Sequence, residues 1–325
     1  MNLSFAKAKV NAAGLAGRSE GFIAFARRVY PAAGWAGRAQ RLLFVVRQLI
    51  HYPHARQWIH HLGRPPMDAV VARNPYLYRK IIRPYVSRDW PDALKVAALI
   101  HHYRFLSRKA PGLFGGICSE EGVELTAFAV GQNERLRLRL RMDSKFRKEG
   151  EATLELISEK FQCRVYCLSF VIAPGLNGRS ALIVGAVSGL PMGADKNIIK
   201  YTAKAIFGLR PKALLLIAVQ ELAQVWGIGF VLGVGSRIHT SRHASYVLNR
   251  SRQFDIAYDE FWQEAGGVRR GDGFYTLPSA FVERTPAAIP AHKRSLYRQR
   301  YAWIDGFRAT LRERLTAPPA GRGLE

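Results

Sequence analysis

The sequence has few cysteines, few acidic residues and no long hydrophobic run. Its 325 residues include three cysteines, Cys118, Cys163 and Cys167. An odd and small number of cysteines argues against a disulfide framework and indicates a reducing compartment. The three cysteines show no zinc-ligand spacing, so the sequence predicts no metal site.

No apolar stretch reaches the roughly 18 residues that a membrane-spanning helix needs. The best candidate, Ala213 to Gly235, contains Gln220, Glu221 and Gln224. It therefore predicts a buried amphipathic helix followed by a strand. The N-terminus has scattered lysines and no continuous apolar core, and we expect no secretory signal there. These features favour a cytoplasmic location, with a peripheral position at the inner membrane as the alternative.

The scarcity of carboxylates leaves a strongly basic chain. Forty-nine Lys plus Arg against 24 Asp plus Glu give a net charge of +25. The first 110 residues carry 19 of these cations and four carboxylates, so the excess is concentrated in the first third. Such a surplus attracts an anionic membrane surface, a phosphate-bearing small molecule or a nucleic acid, although it also serves solubility alone. Aromatic residues are not interleaved with the arginines as base stacking requires, which makes nucleic acid the weakest candidate.

Helical patterns fill the first third of the chain, and strand patterns follow. The segment from Arg38 to Ile50 predicts a basic amphipathic helix that either packs against the protein or binds a membrane. The alternating run LRLRLRM predicts a half-exposed strand, and three further strand-like runs predict antiparallel neighbours. Helices over Lys196 to Phe207 and Pro211 to Trp226 then precede a strand from Gly229 to Val234. We expect an α/β protein with a mixed, mainly antiparallel sheet flanked by helices. Its predicted parts are a basic helical region (1–110), a mixed α/β core domain (111–282) and a basic helical tail (283–325).

The segment FGLRPK is the first candidate binding site. Gly208, Arg210 and Lys212 surround Pro211, which is typical of the first position of a helix. Free amides at a helix start, together with two cations, suit a phosphate group. The structural alternative is that Gly208 caps the preceding helix and Pro211 begins the next one. Both interpretations are compatible with the sequence, and the pattern is not that of a P-loop.

Two residues are candidate catalytic bases. Glu221 lies in an otherwise apolar helix, where burial raises the pKa of a carboxyl group and suits it to general base chemistry. The structural alternative is a polar rim or an ion pair. His243 follows His239 by four residues, which is a spacing found in metal sites, but no third ligand accompanies the two histidines. Capping of a helix by Thr240 or Ser241 is therefore the better interpretation of this segment.

Two further stretches predict surface or interface roles. The turn DSKFRKEGE, from Asp143 to Glu151, predicts a solvated hairpin, or alternatively a cationic extension of the arginine face between Arg135 and Arg141 that holds a polyanion. The stretch YDEFW, from Tyr258 to Trp262, predicts an interface or the edge of the core.

Several unusual blocks occur in order along the chain: NPYLYRKIIRPYV, DSKFRKEGE, YCLSFVI, FGLRPKALLLIAVQELA, GVGSRIHTSRH, YDEFWQEAGG and DGFYTLP. They resemble the bacterial VirK/YbjX family over about Arg38 to Pro278. The resemblance implies a role in the envelope of Gram-negative bacteria, in virulence, surface protein display and resistance to cationic antimicrobial peptides. It supplies no established catalytic residue.

A weaker resemblance concerns topology. Antiparallel strands followed by strand, helix, strand and helix look like the order of acyl-CoA N-acyltransferases, in which amides at the start of the central helix hold the cofactor pyrophosphate. The resemblance places FGLRPK at that position and implies an acyl-CoA cofactor, although the usual signature of glutamine or arginine with paired glycines is absent. Two hypotheses result. The first is an acyltransferase with Arg210 and Lys212 binding phosphate and Glu221 or His243 as base. The second is a non-enzymatic peripheral factor that binds an anionic membrane surface or an envelope protein.

Overall fold

The computed structural model describes residues 21–130, 134–191, 193–243 and 258–316. Among these residues, six helices precede the sheet. They are α1 (Phe22–Val29), α2 (Gly34–Ile50), α3 (His54–Leu62), α4 (Met67–Arg73), α5 (Asp92–Lys109) and α6 (Pro111–Ile117). A 3₁₀ helix, Pro75–Arg79, connects α4 to the segment before α5.

From Val123 onward, the described residues form one eight-stranded sheet and four helices. The strands are β1 (Val123–Val130), β2 (Glu134–Arg141), β3 (Ala152–Ser158), β4 (Cys163–Pro174), β5 (Ser180–Ser188), β6 (Phe230–Val234), β7 (Val268–Arg269) and β8 (Phe274–Leu277). The helices are α7 (Asn197–Ala205), α8 (Pro211–Val225), α9 (Tyr258–Glu264) and α10 (Arg294–Thr316).

The sheet is antiparallel except at one pair of strands. Its order is β1-β2-β3-β4-β5-β6-β8-β7, and β5 and β6 run parallel, with Ala181–Val184 opposite Phe230–Gly233. The helices α7 and α8 form the crossover that a parallel pair requires. Since α8 returns along the sheet, its first turn lies at the edge where β5 and β6 end. The expected α/β fold, with a basic helical first part and a mixed, mainly antiparallel sheet, is therefore confirmed.

Strand β2 shows how the sequence pattern generates the sheet. Its leucines, Leu136, Leu138 and Leu140, are fully buried, whereas the arginines between them lie on the other face. A period of two places alternate side chains on opposite faces of a strand, and the buried leucines fix which face points to the core. That core is continuous, and it extends from Phe25 in α1 to Leu311 in α10. The division into three regions stays a prediction.

A buried ion pair joins the first helices to the sheet. Lys80 Nζ donates to Glu151 Oε1 at 2.5 Å and to the Arg147 carbonyl at 2.6 Å. The hydroxyl of Tyr103, on α5, donates to Glu151 Oε2 at 2.5 Å. The side chains of Lys80 and Glu151 are only 4% and 1% exposed. Their hydrogen bonds offset the cost of removing two charges from water, and they fix the position of α5 against the start of β3.

The sequence also predicts a helix around His243 to Arg250, and all of it after His243 lies outside the described part of the chain. Among the helices that the structure describes, none is both long and apolar enough to cross a bilayer.

Candidate functional site

The strands β5 and β6 separate beyond Val184, and polar side chains occupy the gap. On its other side, β5 continues to pair with β4, whose register shifts so that Gly185 has no partner opposite it. A Cβ at Gly185 would lie 1.8 Å from the Glu149 carbonyl oxygen, so only glycine fits this bulge. The carboxyl ends of parallel strands are where ligands bind in open α/β sheets. We call the residues Glu149, His239, Thr240 and Tyr258, which lie at this edge, the edge cluster.

His239 is held in one tautomer. Its Nε2 lies 3.1 Å from the Gly185 carbonyl, which can only accept a hydrogen bond, so Nε2 carries the proton. Its Nδ1 accepts from the backbone N–H of Ser241 at 3.2 Å. Burial lowers the pKa of His239 to about 4. The imidazole is therefore neutral at neutral pH and positioned by both ring nitrogens.

Glu149 and Tyr258 complete the edge cluster. Burial raises the pKa of the Glu149 carboxyl group. Its Oε1 accepts from Thr240 Oγ1 at 3.3 Å, and its Oε2 is buried without a hydrogen-bond partner among the described residues. The hydroxyl of Tyr258 accepts from the backbone N–H of Val187 at 3.1 Å and lies 3.3 Å from the carbonyl oxygen of the same residue. It therefore contacts the backbone groups of β5 that a neighbouring strand would otherwise pair with. A carboxyl group with a raised pKa and an unpaired oxygen is suited to take or give a proton.

Sequence patterns contain little sign of this edge cluster. Glu149 falls in the turn predicted to be solvated, and Tyr258 was expected at an interface or at the edge of the core. Its neighbour Trp262 is fully buried. One signal was available, since the block GVGSRIHTSRH begins with the last two residues of β6 and continues beyond it, and polar residues after a parallel strand lie at a ligand-binding edge.

The predicted FGLRPK site lies at the start of α8, and its charges have partners in the protein. Gly208 has φ +73° and donates from its amide to the Ala203 carbonyl at 2.7 Å, which is the capping geometry. Arg210 forms an ion pair with Glu264 on α9 at 2.9 Å. The Lys212 ammonium lies 4.5 Å from the centre of the Phe261 ring, and burial lowers its pKa. The capping role is thus visible, whereas phosphate binding stays a prediction.

The two predicted bases lie apart from each other. Glu221 is fully buried in the middle of α8, about 14 Å along the helix from Lys212 at 1.5 Å per residue. It accepts from Arg308 Nε and, at 2.6 Å, from Arg312 Nε, both on α10. The structure therefore shows the ion pair that was the alternative interpretation, and the base role of Glu221 stays a prediction. His243 follows the short 3₁₀ helix Thr240–Arg242 and is the last described residue before 244–257.

The arginines of β2 form ion pairs with carboxylates of the protein itself. Arg139 and Arg141 contact Glu155 on β3 at 2.7 and 3.0 Å, and Arg164 on β4 reaches the same carboxylate at 2.8 Å. Although burial alone raises the pKa of Glu155, these hydrogen bonds bring it below its ordinary value. This neutralisation weakens the interpretation that the face holds a polyanion.

Helix α2 exposes a broad apolar face. Phe44 and Gln48 point into the protein and are buried, and Gln48 donates to the Tyr78 carbonyl at 2.7 Å. At 100° per residue, the opposite side of the helix carries large apolar side chains at positions 35, 42, 43, 46, 49 and 50. Their exposed fractions are 84% for Trp35, 66% for Leu42, 49% for Leu43, 43% for Val46, 57% for Leu49 and 71% for Ile50. We call these six residues the α2 face.

The charged residues of the chain segment that contains the α2 face all have one sign. Residues 21–67 contain seven arginines and no aspartate or glutamate. Arg38 and Arg47 lie on either flank of the face by helical spacing, and Arg41 donates to the carbonyls of Tyr30 and Ala32, which ties α2 to the end of α1. An exposed apolar stripe in a segment without carboxylates is unusual for a surface helix of a monomeric protein.

The comparisons with known proteins agree on one family. A family model described as "Protein of unknown function (DUF535)" matches residues 33–313. The chain is 26% identical to the protein called "Uncharacterized protein YbjX" of Escherichia coli (strain K12) over 267 residues, which are 82% of this chain and 80% of that protein. It is 25% identical to an "Uncharacterized protein" of Haemophilus influenzae (strain ATCC 51907 / DSM 11121 / KW20 / Rd), covering 73% of this chain and 77% of the relative. Because this family model covers most of the chain, the chain belongs to the VirK/YbjX family, whose family model is described as DUF535.

Proposed function

We propose that the protein is a peripheral membrane protein that binds anionic bilayers through the α2 face. The observation that carries this proposal is the row of exposed side chains from Trp35 to Ile50, in a segment that contains arginines and no carboxylate. In an interfacial helix the apolar side enters the boundary between headgroups and acyl chains, and flanking cations contact anionic lipids. Each such cation near the surface contributes about 1 kcal/mol.

An anionic bilayer fits the α2 face better than a second copy of the chain. Two copies meeting face to face would bring arginines against arginines, with no carboxylate from residues 21–67 to balance them. Anionic lipid supplies both an apolar phase and the opposite charge. Trp35, at 84% exposed, is an aromatic residue suited to the headgroup level.

The first prediction concerns vesicle binding. Wild-type protein sediments with phosphatidylglycerol vesicles at low salt, is released as salt rises and binds phosphatidylcholine poorly. The variant Leu42→Asn/Leu49→Asn loses at least about tenfold in partitioning, since a buried leucine contributes about 1.5–3 kcal/mol.

The matched control is Val268→Asn/Val282→Asn, which removes two exposed apolar side chains from elsewhere on the surface, 69% and 73% exposed. It should sediment like the wild type. Equal sedimentation of the Leu42/Leu49 variant contradicts the proposal. The proposal is also contradicted if the wild type forms a dimer in the absence of vesicles and the Leu42/Leu49 variant does not. The α2 face would then be a contact between two copies of the chain.

A cellular role follows from the family resemblance. We propose that the membrane-bound form acts in envelope-related virulence and in resistance to cationic antimicrobial peptides. A strain lacking the gene should become more sensitive to such peptides, and the Leu42→Asn/Leu49→Asn variant should restore less resistance than the Val268/Val282 control. Full restoration by the α2 variant would separate the cellular role from membrane binding.

A second candidate function is acyl transfer from a CoA-type donor. The parallel pair β5 and β6, the bulge at Gly185 and the edge cluster at the end of these strands favour it. In this proposal Glu149 is the general base that the sequence assigned to Glu221 or His243, because its raised pKa and unpaired oxygen suit proton transfer. Arg210 and Lys212 remain the predicted phosphate ligands at the same edge.

Acyl-CoA titrations test the second candidate. Calorimetry with acetyl-, decanoyl- and palmitoyl-CoA should show binding in the wild type, and Arg210→Gln/Lys212→Gln should weaken it at least tenfold. Glu149→Gln should retain binding but lose hydrolysis or transfer of the acyl group. Glu221→Gln serves as the comparison, because it removes a carboxylate that contacts Arg308 and Arg312 instead of the edge cluster. Absence of heat with all three donors contradicts this candidate and leaves the membrane proposal intact.

A further inference from the structure

A cleft of about 550 Å³ opens between the helical first part and the sheet. Its wall combines Arg28 of α1, Arg73 of α4 and Arg79 of the following 3₁₀ helix with Arg147, which precedes β3. Four arginines from four separate segments therefore converge on one concavity. Its volume falls in the range of small-molecule sites, about 300–1,000 Å³.

Two of these arginines are held by an aromatic ring instead of by carboxylates. The guanidinium carbons of Arg79 and Arg147 lie 5.0 and 4.2 Å from the centre of the Tyr76 ring, which also lines the cleft. Within the part of the chain that the structure describes, neither forms an ion pair with a carboxylate, and the Nε of each is buried without a hydrogen-bond partner. Arg139 and Arg141 differ from them, because both form ion pairs with Glu155. Buried donors without partners are rare in native proteins, and a ligand in the cleft would complete the hydrogen bonding of Arg79 and Arg147.

The carboxylates of the cleft do not cancel its charge. Glu120 and Glu121 also line it, so four guanidinium groups face two carboxylates. Glu121 is solvent-exposed, and its backbone amide, the Ser119 hydroxyl and the charge of Arg73 hold its pKa below the ordinary value. It therefore screens Arg73 at the rim and leaves the inner pair, Arg79 and Arg147, uncompensated.

We propose that this cleft binds a phosphate-bearing ligand, with Arg79 and Arg147 as its inner ligands and Arg73 at the rim. Arginine presents paired N–H donors in a rigid fork that matches phosphate oxygens. The cleft is larger than an inorganic phosphate ion, so the ligand has an organic or second phosphate portion beyond the bound group. Either a soluble phosphate compound or the headgroup of a phospholipid provides this chemistry.

Inorganic pyrophosphate is the soluble probe. Calorimetry should show binding to the wild type that Arg79→Gln/Arg147→Gln weakens at least tenfold. Arg147→Lys keeps the charge and loses the fork, so it should bind more weakly than the wild type and more tightly than the double variant. The matched control is Arg269→Gln on the edge strand β7, which removes one exposed arginine at the opposite end of the sheet and should bind normally. Thermal unfolding of each variant separates loss of binding from loss of fold.

Vesicles provide the second arm. If the natural source is a lipid headgroup, wild type should prefer phosphatidic acid over phosphatidylglycerol vesicles of equal surface charge, and the double variant should lose that preference. Pyrophosphate binding by Leu42→Asn/Leu49→Asn should stay normal, so this site and the α2 face can fail independently. The inference is overturned if neither probe binds, or if Arg269→Gln weakens binding as much as Arg79→Gln/Arg147→Gln.

Discussion

Replacing Lys80 by methionine is expected to lower the free energy of unfolding by about 3–5 kcal/mol, which is the usual cost of leaving one partner of a buried ion pair without the other. Lys80 is 4% exposed, and its ammonium donates to Glu151 and to the Arg147 carbonyl. Without it, Glu151 keeps its hydrogen bond from Tyr103 and has to be buried either charged or protonated. Urea unfolding followed by circular dichroism measures the change.

The double variant Lys80→Met/Glu151→Gln identifies the cause. Removing both charges should cost less than Lys80→Met alone, since no uncompensated carboxylate remains. Lys109→Met, at the exposed end of α5, is the control and should change stability by less than about 0.5 kcal/mol. A loss below about 1 kcal/mol for Lys80→Met would mean that water reaches Glu151 and that the pair is not part of the core.

Acidification is expected to destabilise the protein between pH 6.5 and 5 through two buried histidines. Burial lowers the pKa of His102 to about 3 and that of His239 to about 4. Below about pH 6.5 these two histidines therefore bind protons in the unfolded chain but stay neutral in the folded chain. The stability they contribute is fully present above pH 6.5 and is lost as pH falls toward the folded pKa values. At pH 5 the loss is about 2 kcal/mol for each histidine, at 1.36 kcal/mol per pH unit.

The hydrogen bonds explain why both rings resist protonation. Nδ1 of His102 accepts from the backbone N–H of Ile172 at 3.1 Å, and Nδ1 of His239 accepts from that of Ser241. A proton on either Nδ1 would replace an acceptor by a donor and place a charge in the core. Glu149 acts in the opposite direction, because its raised pKa favours proton uptake by the folded state.

Glu149 is present in the wild type and in each histidine variant, so its contribution to the pH dependence of stability cancels when they are compared. In His102→Asn the amide oxygen takes the place of Nδ1 and no longer titrates. The slope of unfolding free energy against pH should then fall by about 1 kcal/mol per unit on average between pH 6.5 and 5 relative to the wild type. His292→Asn, at an exposed position, should leave the slope unchanged. An unaltered slope in His102→Asn would show that another group controls the acid sensitivity.

The secondary structure was predictable because it depends on local patterns. The Leu and Arg alternation of β2 indicated a strand with one buried face, and Leu136, Leu138 and Leu140 are buried as expected. What the arginines contact depends on the register with β3, where Arg139 lies opposite Glu155. No local pattern contains that register, which is why the sequence suggested an open cationic face.

The candidate sites were less predictable for the same reason. Glu149 looked like part of a solvated turn, and its burial depends on the close approach of its backbone to Gly185, 36 positions further along the chain. For α2, the periodicity indicated an amphipathic helix but not that Phe44 and Gln48 would face the protein while the leucine-rich side stays exposed. The arginine cleft combines segments from α1 to the turn before β3, and only the fold brings them together.

The contact of Glu221 with α10 also has a consequence for synthesis of the chain. During translation α8 emerges first, with a carboxylate among apolar neighbours and neither Arg308 nor Arg312 yet available. A buried charge without a partner opposes closure of the core around α8. We therefore expect the nascent protein to keep this layer open until α10 has been made, so that a later helix completes the packing of one made much earlier.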